Sequence, residues 1–345
     1  MRLLKRIFQV LALLLITFLL YNISAVSYGL QQGIGQAKLL WSVREIDEML
    51  EDPSVEDSVK QKFQLIAAIK KFSDEQLGLS KTDNYTTFYN QKGKPILWTV
   101  KASPEFKIEA YKWEFPIAGS FPYKGFFDLE KAKKEENKLK EQGFDTDVNE
   151  VSAWSTLGWF RDPILSSMLE RSPGRLAELI IHESTHATIY IKDSAQFNEN
   201  LASFIGRKGA DQFLAFHYGV NSTERINYQK LLKRKEFFRN YMQEAIVNLS
   251  EKYQGMDTTL SMEQKRQLKA KWVMELKDGL AKSRYYDNDS LAAISLKEFQ
   301  PNNAYFSGFN TYADEIPILE KQLKQKFNGD LKAMILSFKS KGLSL

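Results

Sequence analysis

The sequence predicts a mainly helical α+β fold with a small mixed sheet, preceded by an N-terminal transmembrane helix. Three features support this prediction: long stretches with helical periodicity, short apolar segments bounded by prolines, and an apolar run of about twenty residues near the N-terminus. The chain has 345 residues, of which 43% are hydrophobic, so it can bury a large core. We expect a membrane anchor or signal segment over residues 1–28 and one folded domain over residues 29–345.

The N-terminal segment begins with three basic residues, Arg2, Lys5 and Arg6, followed by an almost unbroken apolar run over residues 7–26. A run of this length can span a bilayer, whereas a cleaved leader usually has a shorter apolar core. A signal peptide is the alternative, because the clearest core is short enough for one and residues 23–25 form a passable cleavage site. In both cases the basic residues stay in the cytoplasm. We therefore expect a membrane-anchored protein whose folded domain lies outside the cytoplasm, in a bacterial periplasm or cell envelope.

Periodicity and turn signals predict the remaining elements in order along the chain. Helices are predicted over residues 36–50, 55–77, 128–142, 226–253, 262–284, 313–327 and 331–338. A further short helix is predicted to begin at residue 163. Strands are predicted over residues 96–100 and 106–110 and near 145–151. Two further helical segments, near the middle of the chain, contain the residues best suited to chemistry.

Charge and composition exclude several classes of protein. The formal net charge is +5, and the three N-terminal basic residues account for three of these units, which leaves +2 for the rest. This near balance does not favour nucleic-acid binding. Residues 131–141 alternate in sign, as is typical of a solvated helix face. Cysteine is absent, so the chain has no disulfide framework, no thiol nucleophile and no cysteine to accept a lipid.

The pattern H-E-x-x-H at residues 182–186 is the most informative motif, and it contains two of the three histidines. Residues four apart on a helix lie on one face, so His182 and His186 can bind one metal ion while Glu183 points at its open side. Catalytic zinc needs a third protein ligand. Glu199 is the candidate, because twelve residues separate it from His186 and leave room for a turn and a second helix. The sequence therefore predicts a site for one Zn²⁺ ion with two histidines and one glutamate.

Both helices of this site have local signals that support them. Ser172 can cap the first helix, Pro173 suits its first turn, and the residues that follow are strongly apolar. On the second helix, small residues follow Glu199 at intervals of three, four and seven: Ala202, Ser203 and Gly206. Because these residues share the face of Glu199, we expect the two helices to approach each other closely.

Several further motifs accompany this site in a fixed order. They are G-Q-A at 35–37, F-P-I-A-G at 115–119, P-Y-K-G-F-F-D at 122–128, S-T-L-G-W-F at 155–160 with D-P at 162–163, F-N-E at 197–199, N-N-A at 302–304 and T-Y at 311–312. Together with the H-E-x-x-H pattern they resemble a bacterial family known as predicted or putative aminopeptidases, zinc peptidases related by motif to the gluzincins. The resemblance covers most of the chain after residue 28. It implies a zincin-like metallopeptidase domain over residues 29–345.

The chain also departs from the pattern of this family. Many members have a lipid-modified cysteine at the leader and cysteines near the Phe-Pro loop, where this chain has Glu114 and Ser120. Lys124 stands where the family has a loop arginine, which keeps the charge but loses bidentate geometry. Ser184 and Thr185 are more polar than the residues that most members have between the histidines. None of these departures affects a proposed metal ligand.

The motif and the resemblance both predict metal-assisted amide hydrolysis. Bound zinc would lower the pKa of its water to about 7, and Glu183 would accept the proton of this water and return it to the leaving amine. Tyr312, in the C-terminal motif, and His217 are the candidate donors to the developing oxyanion. Asn198 and Ser203 are candidates to orient the imidazoles. We therefore expect Glu183 and Tyr312 to be the catalytic residues.

The sequence is compatible with cleavage of either the N-terminal peptide bond or an internal one. An aminopeptidase must bind a free α-amine, and the Gly-x-Met-x-Asn motif of well-known gluzincin aminopeptidases is absent. Four acidic residues could bind the amine: Asp128, Asp162, Asp314 and Glu315. We expect a zinc-dependent aminopeptidase that hydrolyses peptides outside the cytoplasm, with a peptide substrate, a membrane contact through the N-terminal segment and no nucleic-acid partner. The alternatives are a membrane-anchored endopeptidase of envelope proteins and a non-hydrolytic binding protein that contains zinc.

Overall fold

The computed structural model describes residues 2–115, 119–151, 161–192, 194–283, 299–311 and 316–340. These residues are mainly helical with small sheets, in agreement with that part of the expectation. The helices are α1 (Arg2–Tyr21), α2 (Ile23–Trp41), α3 (Ile46–Glu51), α4 (Asp57–Glu75), α5 (Leu129–Glu141), α6 (Ser166–Leu169), α7 (Pro173–His186), α8 (Ala195–Tyr218), α9 (Thr223–Gln254), α10 (Met262–Ala281), α11 (Asn303–Ser307), α12 (Ile316–Phe327) and α13 (Leu331–Ser340), with a 3-10 helix at Gly308–Thr311. The strands are β1 (Arg44–Glu45), β2 (Thr87–Tyr89), β3 (Trp98–Pro104), β4 (Trp113–Phe115), β5 (Gly119–Phe121), β6 (Lys124–Phe126), β7 (Phe144–Glu150) and β8 (Ile164–Leu165).

The strands of the described residues form three small sheets. In the first, β2 pairs antiparallel with β1 and parallel with β8, so this sheet is mixed. In the second, β3 lies between β6 and β7 and pairs antiparallel with both. Strands β4 and β5 form an antiparallel hairpin. Because β2 and β8 are parallel, the residues just before β2 lie beside the residues just before β8, and β8 precedes α7 in the sequence.

The N-terminal segment forms two consecutive helices, α1 and α2, which meet at Asn22. Among the residues that the structure describes, no helix combines the length and the apolar character needed to cross a bilayer. The transmembrane helix predicted in residues 1–28 is therefore wrong, and so is the membrane anchoring in the predicted localisation. The end of this segment packs on the rest of the protein. The Tyr28 hydroxyl donates to the Gly125 carbonyl at 2.8 Å, and its ring stacks on Phe115 with centroids 5.4 Å apart.

Two other predicted elements differ from those observed. The helix expected over residues 36–50 is interrupted, because α2 ends at Trp41 and strand β1 precedes α3. Residues 106–110 do not form a strand. Ser103 Oγ donates to the Lys107 carbonyl at 2.8 Å and closes a turn there. The first difference arises because β1 pairs with β2, which is distant in sequence, and the second because a local turn replaces the expected strand.

Helix α7 lies in the largest hydrophobic core and packs against α4, α8 and α9. Its apolar residues Leu176, Ala177, Ile180 and Ile181 are fully buried. Rotation or translation of the helix would expose these side chains to water, which is unfavourable. The last turns of α7, which contain the H-E-x-x-H pattern, are thus held in a fixed position.

The N-N-A motif at residues 302–304 connects the second sheet to α9. The Asn303 side-chain amide donates to the carbonyls of Pro104 and Glu105 at 3.0 and 2.9 Å. Its oxygen accepts a hydrogen bond from the Tyr253 hydroxyl at 3.0 Å. The residue is completely buried, so these bonds satisfy polar atoms that have no access to water. Asn303 therefore has a structural role.

Candidate metal centre

The H-E-x-x-H pattern lies in the last turns of α7, which ends at His186. Ser172 occupies the N-cap position and Pro173 the first turn, as expected, although the Ser172 side chain makes no capping hydrogen bond. The side chains of His182 and His186 are 20% and 10% exposed. Imidazoles buried to this extent need polar partners, since burial without them is costly.

Asn198 fixes the turn between α7 and α8. Its Oδ1 accepts from the Ile191 N–H at 2.9 Å, and its Nδ2 donates to the Ile191 carbonyl at 2.8 Å. Asn198 therefore binds backbone and does not orient an imidazole as the sequence suggested. Because Glu199 is the next residue, this pair of hydrogen bonds also fixes the segment that contains the third candidate ligand.

Glu199 brings a carboxylate to the two imidazoles. The Nε2 atoms of His182 and His186 are 3.1 Å apart, and the Glu199 oxygens lie 3.5 Å from the first and 3.2 Å from the second. Tetrahedral zinc with ligand bonds of about 2.0–2.1 Å needs ligand atoms about 3.3–3.4 Å apart. The three observed separations are close to this spacing. The group could therefore hold a metal ion.

The charges around these three residues favour a cation. Burial lowers the pKa of His182, but the carboxylates of Glu199 and Glu183 outweigh this effect, so that the pKa is raised. Burial raises the pKa of Glu199, but its hydrogen bonds to the two imidazoles outweigh it, so that the pKa is lowered. An ionised carboxylate beside two imidazoles is the arrangement that a divalent metal ion requires.

Glu183 lies beside the three candidate ligands but outside their group. Burial raises the pKa of Glu183, the two neighbouring imidazoles oppose this effect, and the charge of Asp162 adds to it. Its carboxylate accepts no hydrogen bond from any residue in the described part of the chain. A carboxylate with a raised pKa next to a metal position is suited to act as a general base near neutral pH.

A family model described as "putative aminopeptidase" matches residues 27–340. The chain belongs to this putative aminopeptidase family. The match includes α7 and α8 and confirms the family that the sequence motifs resemble, while the relation to the gluzincins stays a prediction. Membership of the putative aminopeptidase family indicates a peptidase. No curated protein and no solved structure matches the chain significantly.

Gly206 on α8 sets the distance between α7 and α8. A Cβ at this position would lie 2.9 Å from the Glu178 carbonyl oxygen and 3.2 Å from the His182 Cβ. Gly206→Ala is therefore expected to separate the helices, to lower the free energy of unfolding by about 1–3 kcal/mol and to weaken metal binding. Chemical denaturation and metal titration measure the two effects. Gly255→Ala is the control, because its Cβ would meet only the Glu251 carbonyl oxygen at 3.5 Å. Equal losses in both variants would contradict the role of Gly206.

Three residues singled out in the sequence do not belong to the group of candidate ligands. His217 follows Glu199 by eighteen residues on α8, which places it about 27 Å along the helix. Asp128 caps the first turn of α5. Lys124 pairs with Glu135 at 3.3 Å and so connects β6 to α5. The candidate centre contains none of these side chains.

Some predicted residues fall outside the described ranges. These are Tyr312, Asp314, Glu315 and the motif at 155–160. Tyr312 therefore stays a predicted catalytic residue. Ser203 is half-buried on α8 and, within the described residues, makes no hydrogen bond to an imidazole.

The structure places near the candidate centre three residues that the sequence did not indicate as catalytic. Tyr123 is 42% exposed, and burial together with the charge of Glu199 raises the pKa of its phenol. Tyr85 and Asp162 are both buried and lie within electrostatic reach of Glu183. Tyr123 had a sequence signal, because it belongs to a family-like motif. Tyr85 had none.

Proposed function

We propose that this protein is a zinc-dependent metallopeptidase that acts as an aminopeptidase. One observation carries the proposal: two imidazole nitrogens and a carboxylate are separated by 3.1, 3.2 and 3.5 Å, beside the buried carboxylate of Glu183. Imidazole and carboxylate ligands at this spacing suit zinc. Three protein ligands leave one position for solvent, as in catalytic zinc sites, whereas structural sites have four.

Each residue of the centre has its own role in hydrolysis. A zinc ion bound by His182, His186 and Glu199 would supply an acidified water and polarise the scissile carbonyl. Glu183 accepts a proton from the attacking water and passes it to the leaving amine, so that one water is consumed for each bond cleaved. The raised pKa of Glu183 supports both transfers, because it brings the ionised and protonated forms closer in free energy at neutral pH.

The oxyanion that forms on the scissile carbonyl needs a hydrogen-bond donor, and a phenol is suitable. Tyr312 remains the donor predicted from the sequence. Tyr123 is a second candidate, because its partly exposed phenol lies within electrostatic reach of Glu199. Phe121 is also partly exposed and contacts Tyr123 edge-to-face at 6.4 Å. This aromatic surface beside the centre suits the apolar side chains of a peptide.

The preference for aminopeptidase over endopeptidase activity rests on the family. Of the acidic residues considered for binding the α-amine, Asp128 is used as a helix cap. Asp162 is near enough to Glu183 to raise its pKa. Asp162 is only 1% exposed, however, so a substrate amine does not reach it in this structure, and Asp314 and Glu315 stay the candidates predicted from the sequence.

Peptide-library cleavage tests the proposed function. Purified protein is incubated with zinc and a peptide library in two forms, with free and with acetylated N-termini, and the products are identified by mass. We expect single N-terminal residues to be released from the free peptides and the acetylated peptides to stay intact. Removal of zinc by a chelator should abolish cleavage, and added zinc should restore it.

Each other outcome of this experiment indicates a different function. Cleavage at internal bonds in both forms of the library would support the endopeptidase alternative. Zinc bound at one ion per chain without any cleavage would support a binding protein. Cleavage that persists after complete removal of zinc would contradict the metal-dependent mechanism.

A further inference from the structure

Tyr85 has a backbone conformation that a bulky residue rarely adopts. Its φ is 62°, in the left-handed region that favours glycine. Two hydrogen bonds hold the turn: the Tyr85 N–H donates to the Asp162 carbonyl at 2.7 Å, and the Asp162 N–H donates to Asn84 Oδ1 at 3.1 Å. The surrounding structure thus imposes the conformation. Backbone strain that is kept in this way is concentrated at functional sites.

The side chain of Tyr85 is also unfavourable to stability. The residue is only 4% exposed, and its hydroxyl has no hydrogen-bond partner within the described residues. A buried hydroxyl without a partner has lost its hydration without compensation. Phenylalanine would fill the same space without this loss. The presence of tyrosine therefore calls for an explanation other than stability.

Glu183 lies within electrostatic reach of this hydroxyl. Tyr85 and Ser184, the neighbour of Glu183, line the same cavity of about 460 Å³. Burial raises the pKa of Tyr85, and the charges of Glu183 and Asp162 raise it further. The Glu183 carboxylate itself accepts no hydrogen bond from the residues that the structure describes. A hydroxyl without a partner in the described residues therefore lies within electrostatic reach of a carboxylate that accepts no hydrogen bond from them.

We propose that Tyr85 is a positioning residue for Glu183: when substrate is bound, the two groups close to hydrogen-bond distance, the Tyr85 hydroxyl donates to the Glu183 carboxylate, and the carboxylate is thereby directed at the attacking water. This inference rests on the function proposed for the centre. A donor on a clamped turn restricts rotation of the carboxylate, and a restricted base transfers its proton more efficiently. The strain at Tyr85 and its buried hydroxyl then serve activity rather than stability.

Tyr85→Phe tests this inference when it is compared with Tyr228→Phe. Tyr228 is another buried tyrosine, and its hydroxyl lies near Glu178 rather than Glu183. For a peptide that the wild-type protein cleaves, Tyr85→Phe is expected to lower kcat about 10- to 100-fold, with KM and zinc content unchanged and Tm unchanged or higher. Tyr228→Phe is expected to leave kcat unchanged. Steady-state kinetics, metal analysis and thermal unfolding give the four quantities.

Glu183→Asp provides a second comparison, because its shorter side chain withdraws the carboxylate from Tyr85. In this background, Tyr85→Phe is expected to lower kcat by less than about 3-fold, since the positioning contact is already lost. The positioning role would be overturned if the two substitutions lowered kcat independently of each other in the double variant. It would also be overturned if the Tyr85→Phe protein had the kcat of wild type or lost its zinc. All three outcomes leave the proposed function intact, whereas a wild-type protein that cleaves no peptide overturns both.

Discussion

Glu183→Gln is expected to lower kcat for peptide cleavage by about 10²–10⁴-fold while zinc stays bound at one ion per chain. Glutamine has nearly the same shape as glutamate, but its amide cannot accept the proton of the attacking water. Zinc is retained because Glu183 does not belong to the group of three candidate ligands. Steady-state kinetics and metal analysis on the same sample measure both quantities.

Glu170→Gln is the control for this substitution. Glu170 is exposed and lies just before α7, so the same chemical change is made outside the centre. Its kcat should equal that of the wild-type protein. A Glu183→Gln protein with kcat within about tenfold of wild type would show that another group accepts the proton. Loss of zinc from the Glu183→Gln protein would show that Glu183 contributes to metal binding.

Glu199→Gln is expected to weaken zinc binding by more than about 100-fold and to abolish cleavage at low zinc concentration. This loss of affinity is larger than that expected for a residue that only makes a hydrogen bond to a metal ligand. The carboxylate oxygens of Glu199 lie 3.5 and 3.2 Å from the two imidazole nitrogens, so its replacement leaves the ion with two strong ligands. Competition with a chromophoric chelator measures the affinity.

Asn198→Asp is the comparison for Glu199→Gln. It changes the neighbouring residue but keeps an oxygen that can accept from the Ile191 N–H. We expect this variant to retain zinc more tightly than Glu199→Gln. If Glu199→Gln bound zinc as well as wild type, the ion would have to be held by a different set of ligands.

The group of three candidate metal ligands could be predicted from the sequence because its geometry is almost entirely local. His182 and His186 are one helical turn apart, and Glu199 follows after twelve residues, so one turn between two helices brings all three together. Helix α5 was predictable for the same reason, since Asp128 caps it as local chemistry requires. No distant contact is needed for either feature.

The remaining features depend on contacts between distant parts of the chain. Tyr85 meets the centre only because β2 pairs with β8 and brings it beside Asp162. The N-terminal apolar run was misinterpreted as one membrane-spanning helix, because its composition does not reveal that the structure divides it between two helices that meet at Asn22. The alternation at residues 106–110 fits a strand, but it also fits a turn that packs apolar side chains on the core beside α9.

The clamped turn between α7 and α8 has a consequence for metal loading. Its hydrogen bonds between Asn198 and Ile191 are formed within the helical hairpin that contains every candidate ligand. Closing so short a loop costs little chain entropy. Zinc could therefore be captured once this hairpin is ordered, before the sheets or the terminal helices are complete. Metal insertion would then be an early, self-contained event in the maturation of the enzyme, independent of its final assembly.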